Sequence, residues 1–143
     1  MLIKRDWWEI MNRKTIVITI AAVSGGGKTT ITESLTHELT NSKALFFDSY
    51  NFDNCPADIC KWIDDGANYD EWILTPLIHD IQHLIRDSKL DYIIVDYPFA
   101  YLNREMGQFI DVTIFIDTPL DIAMARRILR DFKEDTIDEI HND

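Results

Sequence analysis

Ala22-Val23-Ser24-Gly25-Gly26-Gly27-Lys28-Thr29 has the residue types needed to hold a polyphosphate. It matches G-x-x-x-x-G-K-[S/T] at every fixed position but the first, where Ala22 stands. Gly25, Gly26 and Gly27 let the backbone take conformations barred to residues with a Cβ, so consecutive N–H groups can turn inward as an anion nest. A helix starting near Lys28 adds the positive end of its dipole. Lys28 would bridge the β- and γ-phosphates, and the Thr29 hydroxyl would ligate Mg²⁺. Ser24 and Thr30 flank the same cradle. The implied ligands are ATP and magnesium.

Such a loop needs a carboxylate to order the magnesium shell. Tyr92-Ile93-Ile94-Val95-Asp96 is an apolar run ending in Asp, so Asp96 is the metal-side candidate. The competing reading is a cap after a strand. Asp48 closes another short run, in Phe46-Phe47-Asp48-Ser49-Tyr50. In a doubly wound sheet, ligands collect beyond the carboxyl ends of the strands, where Asp48 could accept the proton of an attacking hydroxyl. An Asx turn explains it equally well. Arg126, Arg127 and Arg130 are three and four apart, so they neighbour one another on a helix and could neutralise a transferred phosphoryl group. Pairing with Asp121, Asp131 and Glu134 on a solvated face is the alternative.

Strands and helices must position these groups. Residues 15–21, 44–47, 92–95 and 112–116 are β-branched or aromatic runs. The first, third and fourth are nearly continuous, as in strands buried on both faces of a parallel sheet. Residues 29–39 carry Ile31, Leu35 and Leu39 at helical spacing. Thr75-Pro76 opens a helix striped by Leu77, Ile78, Ile81, Leu84 and Ile85. Thr118-Pro119 repeats that start signal before Ile122, Ala125, Ile128 and Leu129. Alternating strands and helices predict a three-layer α/β/α fold with a parallel sheet of about four strands. Residues 1–14 read as an N-terminal extension holding Trp7 and Trp8, and residues 15–143 as the domain. Thr136 and Glu139 form a capping-box start near the end.

A net charge of -11 argues against a broad nucleic-acid or anionic-membrane surface. The longest apolar stretch, residues 16–23, is too short to span a membrane. Cys55 and Cys60 fit no metal or redox spacing, which suits packing residues in a reducing cytoplasm. The expected partner is a small-molecule acceptor; no pattern fixes the oligomeric state, and a homo-oligomer stays open.

Ser24 to Thr30, Asp48-Ser49-Tyr50, and Ile114 to Pro119 running into Ala125-Arg126-Arg127-Ile128-Leu129-Arg130-Asp131 together resemble the uridine and nucleoside kinase family of P-loop enzymes. The third segment discriminates most, because general P-loop proteins do not share it. The resemblance covers residues 15 to 132. It implies transfer of the ATP γ-phosphoryl group to a hydroxyl of a nucleoside. It also implies Asp48 as general base, Arg126, Arg127 and Arg130 as lid arginines, and Tyr50, Phe52 and Trp72 as acceptor contacts. Asp96 stands where the family commonly has Glu. The family's last edge strand has no counterpart after residue 132, so the sheet is expected in the order 2-3-1-4 without it. A kinase for a non-nucleoside hydroxyl compound, and a nucleotide-binding regulatory module without acceptor turnover, are the alternatives.

Overall fold

The computed structural model describes residues 2–3, 15–87 and 89–131. In chain order, β1 is Leu2–Ile3, β2 Ile16–Ala21, α1 Lys28–Glu38, β3 Ser42–Phe46, α2 Ile59–Asp64 and α3 Thr75–Asp87. Then come β4 Tyr92–Asp96, α4 Arg104–Gly107, β5 Val112–Phe115 and α5 Leu120–Asp131. Single-turn 3₁₀ helices cover Phe47–Ser49 and Tyr69–Glu71. The strands lie in the order β1-β5-β2-β4-β3. β2, β3, β4 and β5 are mutually parallel, so the expected 2-3-1-4 core is present in an α/β P-loop architecture. A fifth strand was not foreseen. Leu2–Ile3, inside the segment read as an extension, pairs antiparallel with Val112 and Thr113 at the β5 edge. Trp7, Trp8 and the Thr136/Glu139 capping box lie outside the described residues.

Two of the three continuous apolar runs, β2 and β4, are buried on both faces, as a central parallel strand requires; the third, β5, is not, and its Phe115 is exposed. On β4, Ile93 and Val95 join one core cluster with Leu77, Ile81 and Leu84 of α3, while Ile94 is fully buried on the opposite face. Each such side chain contributes about 1.5–3 kcal/mol. Register at the β5 end is set by Asp111. Its carboxylate accepts from Val17 N–H at 2.9 Å, and its own N–H donates to the Val17 carbonyl at 3.0 Å.

Three local expectations are corrected. On α1, Ile31 is exposed and Thr32 is the buried residue. The helix is rotated so that Thr29 meets Asp96, and Thr32, one turn on, shares that side. On α5, Ile122 and Leu129 are exposed and Ala123 is buried, because the helix meets the body through its first turn. Cys55 and Cys60 are exposed free thiols rather than packing residues. Among the described residues no helix is long and apolar enough to cross a membrane.

Candidate functional site

The loop after β2 leaves the sheet at Ala22, which is buried and has no left-handed φ, so alanine serves where the motif has glycine. Gly26 N–H donates to the Val23 carbonyl at 2.8 Å and closes the turn. Gly27, at φ 98°, caps α1 in the left-handed region. Lys28 therefore opens α1, with the helix N-terminus aimed at whatever the loop encloses.

A cavity of about 380 Å³ sits over this loop, lined by Ser24, Gly25, Gly27, Lys28, Thr29, Thr30, Asp48, Arg126 and Arg130. Segments far apart in sequence thus converge: the loop and α1, the turn after β3, and the middle of α5. Asp48 is exposed on the 3₁₀ turn at the carboxyl end of β3. Asp96 ends β4, 5% exposed, and accepts the Thr29 hydroxyl at 2.8 Å. A hydroxyl and a carboxylate in contact beside a phosphate cradle are a hard oxygen donor set, which fits Mg²⁺. Among the described residues there is no group of three His, Cys, Asp or Glu side chains that could hold a metal. Magnesium needs none, since one or two carboxylates and the nucleotide phosphates suffice.

The arginines divide. Arg126 and Arg130 line the cavity, whereas Arg127 does not; its Nε lies 3.6 Å from Asp131. Arg130 also donates to Asp131, at 2.6 and 3.1 Å, which holds the Asp131 carboxyl below the usual carboxylate range. Arg127 thus pairs on the helix face, Arg126 lines the cavity, and Arg130 does both.

The three aromatic candidates also separate. Phe52, 9% exposed, is a core residue between Phe47 and Tyr50, with ring centroids at 4.9 and 5.8 Å. Trp72 packs against Phe47, Trp62 and Phe99. Its indole Nε1 is buried without a hydrogen-bond partner among the described residues, as is the Tyr97 hydroxyl. Tyr50 lies on a different, open cavity.

Sequence reasoning missed Thr118. Its hydroxyl donates to the Gly26 carbonyl at 2.7 Å, tying the segment after β5 to the phosphate loop. The Thr-Pro pair gave only a helix-start signal. Thr118→Val is expected to weaken ATP binding by about 2- to 10-fold, the worth of one hydrogen bond. Titration calorimetry checks this; wild-type affinity would remove the tether.

No protein-family model matches the chain. It is 32% identical over 154 residues to uridine kinase of Ureaplasma parvum serovar 3, covering 87% of this chain and 73% of that protein. It is 31% identical over 157 residues to uridine kinase of Bacillus pumilus, covering 87% and 71%. It is 24% identical over 151 residues to uridine kinase of Lactiplantibacillus plantarum, covering 88% and 72%. Among solved structures, a chain assigned as a fructose transport system kinase from Silicibacter sp. TM1040 shares the fold at TM-score 0.59 and 14% identity, covering 90% of this chain and 75% of that one.

Proposed function

Because this chain belongs to the uridine kinase family, we propose that it moves the γ-phosphoryl group of ATP to a hydroxyl of a nucleoside. That it is a small-molecule phosphotransferase is common ground with its relatives; the nucleoside acceptor is the finer reading. The observation carrying the mechanism is the single cavity that gathers Lys28, Thr29, Asp48, Arg126 and Arg130.

The loop N–H groups and Lys28 hold the phosphates in line. The Thr29 hydroxyl and the Asp96 carboxylate would hold magnesium, which when bound neutralises phosphate charge. Asp48 takes the proton of the attacking hydroxyl as its oxygen bonds to the γ-phosphorus. The bond from that phosphorus to the β-γ bridging oxygen breaks, and ADP leaves with the electron pair. Arg126 and Arg130 face the charge that spreads over the transferred group.

A free sugar or other hydroxyl compound is the second reading. Two of the three rings expected to receive a base, those of Phe52 and Trp72, are packed against other aromatic rings. The test is ADP release from Mg-ATP with uridine, cytidine and free sugars. Acceptor-dependent release with a nucleoside supports the first reading, and release with free sugars alone supports the second. ADP release no faster than without acceptor, while ATP binds, would sink both and leave a regulatory nucleotide-binding role.

A further inference from the structure

α3 carries two histidines four residues apart, in His79-Asp80-Ile81-Gln82-His83. Leu77, Ile78, Ile81 and Leu84 turn one face of this helix into the core. His79 and His83 share the other side, and both are exposed. One turn of helix brings their Cβ atoms to about 5–6 Å. At that spacing two histidines on one helix face can hold a zinc ion, each through a single ring nitrogen. The phosphotransfer chemistry uses neither ring.

The surroundings of His79 point to a metal as well. Its Nδ1 lies 4.0 Å from Asp80 Oδ1, which leaves Nε2 on the far side of the ring. The contact is too long for a hydrogen bond, but the His79 side chain is 74% exposed and can turn to close it. Asp80 is itself held in place: its other oxygen, Oδ2, accepts the Tyr50 hydroxyl at 2.6 Å. A carboxylate behind a ligating histidine fixes the ring and raises its basicity. The net charge of -11 draws cations to the chain. Arg86 is the only lysine or arginine on α3, and it stands three residues beyond His83.

The donor types choose the ion. Imidazole nitrogen suits zinc, nickel and copper, whereas magnesium and calcium want oxygen. Among the described residues no group of three His, Cys, Asp or Glu side chains could hold a metal, so water would complete the shell. Two protein donors are half of a closed structural set, which places the zinc dissociation constant at roughly 1–100 µM. We propose that His79 and His83 form a two-histidine site for a borderline transition-metal ion, zinc foremost, with Asp80 positioning the His79 ring. An ion gripped by both rings requires the helical turn between them. It therefore binds the folded chain and stabilises it by mass action. The site stands independently of the phosphotransferase reading.

The test is calorimetric titration of the full chain with zinc chloride, without nucleotide, and with magnesium chloride as the parallel probe. Zinc is expected to bind in that micromolar range, and magnesium should not compete. At a hundredfold excess over the dissociation constant, zinc should raise the thermal unfolding midpoint by about 5–10 °C. His79→Gln and His83→Gln should each weaken zinc at least tenfold and remove that rise. Both positions are exposed, so their metal-free midpoints should stay within about 2 °C of wild type. Asp80→Asn should weaken zinc about three- to tenfold at an unchanged metal-free midpoint; wild-type affinity would strike Asp80 from the site. Cys55 and Cys60 are exposed thiols that also attract zinc, so a Cys55→Ser/Cys60→Ser variant is titrated alongside and should keep the site. No zinc binding up to about 1 mM, affinity unchanged in either histidine variant, or binding lost with the thiols would overturn the proposal.

Discussion

Asp48→Asn is expected to lower kcat by about 10²- to 10⁴-fold, the range for loss of a positioned general base, while Mg-ATP still binds. The substitution keeps size and removes the charge. Asp48 is exposed on a turn and lines the phosphate cavity, so the fold does not depend on it. Arg130 lines the same cavity and feels the charge of Asp48. Removing a carboxylate near a polyphosphate lessens repulsion, so ATP affinity should be equal or slightly higher. Single-turnover kinetics and nucleotide titration separate the two effects. An unchanged kcat would deny Asp48 the proton-accepting role; lost ATP binding would make it a structural residue.

How much of this was legible depended on whether the signal was local. The phosphate loop is contiguous, and its lysine, threonine and glycines carry their roles in type and spacing. The strand ending in Asp96 was equally plain, since burial on both faces needs an unbroken apolar run. Helix rotation was not legible. Ile31, Leu35 and Leu39 formed a plausible stripe, yet the Thr29–Asp96 bond turns α1 so that Thr32 faces inward. That contact spans 67 residues of sequence and leaves no periodic trace. The stripe on α5 failed for a related reason. The helix touches the body at Ala123 and then lends Arg126 and Arg130 to the cavity. Phe52 and Trp72 show the limit of composition: aromatic residues near an acceptor segment serve the core as readily as a ligand.

The second large effect is expected from Gly25→Ala, which should abolish measurable nucleotide binding. The sequence gives Gly25 a generic reason, backbone freedom, and its φ of 79° bears that out: an L side chain is strained there. The structure adds a specific reason. A Cβ on Gly25 would run into the backbone carbonyl of Ala123 in the first turn of α5. A backbone oxygen cannot swing aside as a side chain can. Either the loop gives up its turn and the anion nest with it, or α5 lifts away and takes Arg126 and Arg130 from the cavity. Both routes remove phosphate ligands at once, whereas Thr118→Val removes one tether from an otherwise intact loop. Nucleotide titration checks the loss, and the thermal unfolding midpoint shows whether the fold survives. Near-normal ATP affinity in a folded Gly25→Ala protein would mean that α5 is not seated on the loop when nucleotide is bound.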